Sequence, residues 1–318
     1  MRRTTIAAAV VAAGLAAVTM SVAPTASAAD RGARSRIAVH FDLAKGEMPE
    51  NIALAPDGTA YVTFAAARQI AAVSPGGARR VLATMAAPAD GGVHTPVLSF
   101  ALTTGIVRTG DGTLYFLYAS GDAGSTGLYR LRPGGRPQRL AALPAAGLPN
   151  GLALDERTGT FFVTDSVLGT ISAVPLAGGR ASVWSSAPEL APAGFLGANG
   201  VQVRGGAVWA TNLDRGTLLR IPLRPAGPGR IEVRATGLAG IDDFAFTGRG
   251  EDVLAALNGP STVVRVAAGG RATTVLDAGD GLQNPTSVAV RAGVAYVLSA
   301  AYTTATDPNL LLATLPRR

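Results

Sequence analysis

Apolar and polar residues alternate in short runs along this chain, and the runs come in matched pairs. LPNGLALDERTGTFFVTDS at residues 148–166 and GANGVQVRGGAVWATN at 197–212 each set an Asn-Gly pair before an apolar-x-apolar segment, a glycine-containing turn and a second apolar run. Period-two alternation marks a half-buried strand, and a turn between two such runs predicts an antiparallel hairpin. Four further segments follow the same plan: PENIALAPDGTAYVTF from Pro49, TTGIVRTGDGTLYFLY from Thr103, IDDFAFTGRGEDVLAA from Ile241 and PTSVAVRAGVAYVLSA from Pro285. The equivalent polar position in the six copies is Glu50, Thr104, Asn150, Asn199, Asp242 and Thr286, at steps of 54, 46, 49, 43 and 44 residues.

A second hairpin follows each of the first five copies, as in QIAAVSPGGARRVLA and TVVRVAAGGRATTVL. Each repeat is then four short antiparallel strands, and the period lies in the range of propeller blades. The sixth copy ends in NLLLATLP without a fourth strand, whereas SRIAVHFDL near the start of the pattern has no blade of its own. Pairing these two closes the ring and removes an open sheet edge. The predicted fold is all-β: a six-bladed β-propeller with four antiparallel strands per blade, its last blade closed by the N-terminal strand. The competing arrangement is a β-sandwich with coincidental spacing. Two longer segments, MAAPADGGVHTPVLSFAL and SAPELAPAGFLGA, join an outer strand to the next inner strand, which places them on the face carrying the six polar positions as a rim or as tolerated insertions.

The N-terminus bears on location rather than fold. MRRTT, the apolar run IAAAVVAAGLAAVTM and the Ala26-Ser27-Ala28 site read as an export signal cleaved after Ala28. The expectation is one domain over residues 29–318, secreted and extracellular, with no stable membrane insertion after cleavage. The chain has no cysteine, which excludes disulfides and thiolate metal sites. Its net charge is +7, but the arginines are scattered along the sequence, and no basic stripe of the kind that binds nucleic acid stands out.

In a propeller the first strand of each blade lines the central channel, so the six polar positions should converge at one mouth. Four of them, Glu50, Asn150, Asn199 and Asp242, offer two carboxylates and two amide oxygens. That set suits a hard divalent cation, calcium above others, with water completing six to eight oxygen ligands. Zinc prefers nitrogen or sulfur, and the chain has only His40 and His94. Asn, Asp and Thr also form turns through local hydrogen bonds, and a bound ion could be purely structural.

The segments PEN, PNG, ANG and IDD resemble the blade starts of the calcium-dependent six-bladed hydrolases: the senescence marker protein and gluconolactonase family, and more distantly the paraoxonases and diisopropyl fluorophosphatase. The resemblance spans the chain after the signal and implies that Glu50, Asn150, Asn199 and Asp242 hold a catalytic divalent metal. It departs from the family at the second blade, where Arg108 cannot be matched to a substrate arginine, and in lacking a histidine pair near the metal. The implied activity is hydrolysis of lactones or related esters, with Asp242 or Asp243 orienting or deprotonating water and His94 as a candidate proton shuttle. Adjacent strand residues face opposite ways, which counts against Asp243 unless a bulge redirects it. Tyr118, Asp165, Asn212, Asp214, Asn258 and Tyr302 should stand around the rim, where such residues shape hairpins, with substrate contact as the alternative. The alternatives are a noncatalytic secreted propeller that binds a small molecule, glycan or protein across its central face, and another propeller enzyme such as a lyase.

Overall fold

The computed structural model describes residues 34–315; the proposed signal, residues 1–28, lies outside them. Six sheets follow one another around a ring. Blade 1 comprises Pro49–Leu54, Ala60–Phe64, Gln69–Val73 and Arg79–Thr84, and blade 2 comprises Leu102–Arg108, Leu114–Ala119, Gly127–Leu131 and Gln138–Ala142. Blade 3 runs Pro149–Asp155, Thr160–Asp165, Thr170–Pro175 and Ser182–Ser185. Blade 4 runs Ala198–Arg204, Ala207–Asn212, Thr217–Arg224 and Glu232–Ala235, with a two-residue strand, Gly227–Pro228, added beside its third strand. Blade 5 is Ile241–Phe246, Val253–Leu257, Thr262–Val266 and Ala272–Leu276. Blade 6 takes Pro285–Arg291, Val294–Ser299 and Asn309–Thr314 from the end of the chain and Arg34–His40 from its start.

The closing strand pairs antiparallel with the last one, from Arg34 opposite Thr314 to His40 opposite Asn309. Both ends of the pattern are therefore held in one sheet. The inner strands pack side by side in a closed cycle, blade 6 against blade 1.

The core is divided rather than central. Six apolar slabs fill the spaces between neighbouring blades; Trp209 and Leu218 of blade 4, for example, pack against Phe244 and Val253 of blade 5. Ile52 with Leu54, and Val201 with Val203, turn the same way into such slabs, as two-residue alternation requires.

Strand direction gives the ring two unlike faces. The starts of the inner strands, the hairpins between second and third strands and both long insertions share one face, here called the mouth. Exposed arginines that are scattered in sequence, among them Arg132, Arg136, Arg157, Arg180, Arg249 and Arg271, stand on turns at the opposite face. Acidic residues such as Asp42, Asp90, Asp122, Asp214 and Asp307 lie on loops at the mouth.

Candidate functional site

The inner strands all depart from regular pairing just where the ring residues stand. Register shifts fall between Pro49 and Asn51, Thr103 and Ile106, Pro149 and Leu152, Ala198 and Val201, Ile241 and Phe244, and Pro285 and Ser287. A bulge re-aims consecutive side chains, so two neighbours can both approach the axis. A threonine from the adjacent second strand holds it in three blades. Thr63, Thr164 and Thr211 accept from the amides of Asn51, Gly151 and Gly200 at 3.0, 2.8 and 2.8 Å. The same hydroxyls donate to the carbonyls of Thr104, Asn199 and Asp242 in the next blade.

This geometry explains the repeated Asn-Gly pair. A Cβ on Gly151 would lie 2.3 Å from the Asn199 carbonyl oxygen, and one on Gly200 would lie 2.4 Å from Asp243 Oδ1 and 2.7 Å from its Cα. Glycine is needed because the neighbouring inner strand passes against it, and neither residue has positive φ. The asparagine before it is left free to serve the mouth.

Glu50, Asn150, Asn199 and Asp242 are all buried at the inner-strand starts, with exposures of 8, 6, 2 and 7%. Asn258 hydrogen-bonds the Asp242 carboxylate from Nδ2 to Oδ2 at 3.3 Å, and the nearby Asn199 side chain also favours its ionised form. Burial pushes Asp242 well above the carboxylate range, and the negative charges of Glu50 and Asp243 push it further. Burial likewise raises Glu50 to about 7, with Asp243 adding repulsion and a hydrogen bond from the Tyr302 hydroxyl partly offsetting both. Carboxylates taken out of water beside one another need protons or a cation. Among the described residues no protein group hydrogen-bonds the Asn150 side chain, and no three histidine or acidic side chains are grouped to hold a metal. A cation here would therefore use the amide oxygens of Asn150 and Asn199 beside the Glu50 and Asp242 carboxylates, a donor chemistry that fits calcium.

The other two ring positions serve a different purpose. Thr104 Oγ1 donates to the Pro149 carbonyl at 2.8 Å and Thr286 Oγ1 to the Pro49 carbonyl at 2.9 Å, so both hydroxyls stitch neighbouring blades together.

Asp243 reaches the axis one layer deeper. Its Oδ2 accepts from Asn51 Nδ2 at 2.9 Å and Ser287 Oγ at 3.1 Å, and its Oδ1 from its neighbour's amide, Phe244 N, at 2.7 Å. Burial raises it to about 6. It lines a channel of about 500 Å³ together with Asn51, Arg108, Gln202 and Arg204. Blades 2, 3 and 4 carry Gly105, Gly151 and Gly200 at this layer, whereas blades 5, 6 and 1 carry Asp243, Ser287 and Asn51. That contrast is the sequence signal for a second polar layer, to which Asn51 and Ser287 belong beside the axial Asp243.

His94 is not brought into this group. Its side chain is 78% exposed, with Nε2 3.6 Å from Asp90, and no hydrogen bond joins it to the axial residues. His40 is an exposed member of the closing strand, 2.7 Å from Asp307.

The rim residues are mostly committed to holding loops. Tyr118 donates to the Ala86 carbonyl, Asp165 accepts from the amides of Leu148, Val167 and Leu168, and Asp214 from those of Ala193 and Phe195. The Asn212 amide donates to the carbonyls of Glu189 and Ala191. Only Asn258 and Tyr302 of that set turn inward, to Asp242 and Glu50.

No protein-family model and no curated protein matches the sequence. Solved structures do match in fold. A gluconolactonase from Xanthomonas campestris superposes with a TM-score of 0.63 at 14% identity, covering 85% of this chain and 87% of its own. A calcium-binding protein, regucalcin, from Agrobacterium tumefaciens gives 0.62 at 18%, covering 84% and 90%. A catalytically inactive histidine-to-alanine variant of virginiamycin B lyase from Staphylococcus aureus, with quinupristin, gives 0.60 at 13%, covering 89% and 100%. The chain shares their propeller fold. These neighbours include the gluconolactonase and regucalcin group that the blade-start motifs resemble.

Proposed function

We propose that the protein is a secreted, calcium-dependent hydrolase of lactones or related esters. The observation that carries this reading is the buried pair Glu50 and Asp242, drawn from blades 1 and 5 and repelling one another, with Asn150 and Asn199 buried at the equivalent inner-strand starts of blades 3 and 4. The fold shared with a gluconolactonase and a calcium-binding regucalcin supports it. Glu50, Asn150, Asn199 and Asp242 would hold the cation, which when bound polarises an ester carbonyl and stabilises charge developing on its oxygen.

The chain's own groups supply the remainder. Water adds to the ester carbonyl carbon and gives up a proton; the carbon–oxygen bond to the leaving alcohol then breaks, and the alcohol oxygen takes a proton. Asp243 is the candidate acceptor, fixed by its three hydrogen bonds. Tyr302 and Asn258 orient the Glu50 and Asp242 carboxylates. The lyase likeness carries less weight: alanine in place of a histidine inactivates that enzyme, whereas the two described histidines here, His40 and His94, are exposed and away from the axis. A noncatalytic binder would share the mouth but show no cation-dependent turnover.

The test combines metal analysis of the purified protein with a calcium-dependent screen of lactones and aryl esters. A bound divalent ion with turnover that is lost on chelation and in Asp242→Asn supports the reading. A loaded, folded protein that hydrolyses nothing in the screen would return it to a binding role. Export is proposed from the N-terminal pattern, and a mature N-terminus at Ala29 in the culture medium is the expected mass-spectrometric result.

A further inference from the structure

The acidic centre is flanked by an apolar wall. Met48, Leu98, Phe100, Val167, Leu213 and Tyr302 belong to one apolar cluster at the mouth, contributed by four blades and the insertion before blade 2. The cluster is continuous with the ring: it includes Leu148, two residues before Asn150, and Met48, two before Glu50, while the Tyr302 hydroxyl touches Glu50 itself. Further out on the same face Val93, Val97, Leu168 and Phe195 are 56, 50, 43 and 47% exposed. They are four of the seven large apolar side chains exposed among the described residues, and all stand on the two insertions or the blade 3 hairpin.

Several polar side chains around the mouth that could recognise a hydroxylated ligand are occupied. Asp165, Asn212 and Asp214 are bonded to backbone groups of their own loops. Arg68 donates to the carbonyls of Ala66 and Met85, and Arg215 to that of Ala191. Acidic loops around the mouth also disfavour an anionic ligand.

We infer that the substrate is an uncharged ester or lactone bearing an apolar chain or ring, whose carbonyl meets the axial groups while its apolar part lies on the wall formed by Leu98, Phe100, Val167 and Leu213. The inference rests on the hydrolase reading for the word substrate; the binding preference it states does not.

Two measurements separate the pair of claims. The first is turnover of γ-butyrolactone, γ-hexalactone, γ-octalactone and γ-decalactone against gluconolactone in calcium. Burying a methylene contributes about fourfold, so kcat/KM is expected to rise two- to fourfold, roughly, per added methylene until the chain clears the rim. The second is calorimetric affinity for the matching alkyl γ-lactams, which keep the carbonyl and resist hydrolysis. It should rise in parallel, and Phe100→Ala should flatten both slopes. Phe195→Ser, at an exposed position, gives a second variant should Phe100→Ala fail to fold. Lactam affinity that rises with chain length, without turnover of any lactone, would uphold the apolar wall and remove the hydrolase reading. Gluconolactone turnover combined with flat chain-length dependence would overturn the inference and leave the hydrolase reading standing. Flat lactam affinity without any turnover would overturn it as well.

Discussion

Replacing Glu50 by glutamine should stabilise the protein without calcium and lose that advantage with it. In cation-free protein, Glu50 has its pKa raised from 4.5 to about 7, chiefly by burial. The folded state then holds a proton that the unfolded state releases, so the contribution is fully present below about pH 4.5 and is lost as pH rises through about 7. The interval corresponds to about 3 kcal/mol. Glutamine keeps an oxygen for the Tyr302 hydroxyl and cannot ionise. In chelator at pH 8, Glu50→Gln should therefore melt higher than wild type, by about 6 °C at roughly 2 °C per kcal/mol for a chain this long. At pH 4.5 the difference should nearly vanish. Calcium at one hundred times its dissociation constant should stabilise the wild type by about 2.7 kcal/mol, and most of that gain should be missing in the variant. Scanning calorimetry at both pH values, with calcium and with chelator, reads all four conditions. A variant that melts below wild type in chelator at pH 8 would refute the buried-charge argument.

Three other outcomes follow from the same geometry. If Asp243 accepts the proton, kcat/KM should rise with pH along an acid limb lying below about 6, because a bound cation favours the carboxylate over the value of about 6 that burial gives it in the cation-free protein, and Asp243→Asn should lose that limb along with most of the rate; a limb that persists in the variant would assign it to another group. Gly151→Ala drives a Cβ into the Asn199 carbonyl and should lower unfolding stability by about 1–3 kcal/mol, read from the urea midpoint, whereas an unchanged midpoint would show that the blades are not so tightly apposed. Thr211→Val strands the Gly200 amide and removes a donor from the Asp242 carbonyl, so a loss of about 1–3 kcal/mol is expected, with weakened calcium binding because Asp242 loses its anchor.

The blade plan was legible because six copies repeat the same alternation, and the closing strand because the sixth copy lacked its partner. The location of Glu50, Asn150, Asn199 and Asp242 followed from that count alone. Their neighbours were less accessible to such reasoning. Period-two alternation turns Asp243 away from the axis, and only the bulge between Ile241 and Phe244 brings it there. Thr104 and Thr286 occupy ring positions in sequence, yet their hydroxyls meet carbonyls of the next blade, and a threonine's type does not disclose which partner it will find. Asp165, Asn212 and Asp214 shape their loops, as residues of their type at hairpins should, but the sequence does not show which distant amides and carbonyls they satisfy. The apolar wall draws single residues from segments far apart in the chain, so no local pattern announces it.

The central claim is that four oxygen side chains from blades 1, 3, 4 and 5 hold one divalent cation. Calorimetric titration of the metal-free protein with calcium tests it most directly. One site per chain, with binding sharply reduced in Glu50→Gln, Asn150→Ala and Asp242→Asn alike, is the predicted result. No binding by the folded protein, or binding that those three substitutions leave intact, would contradict it.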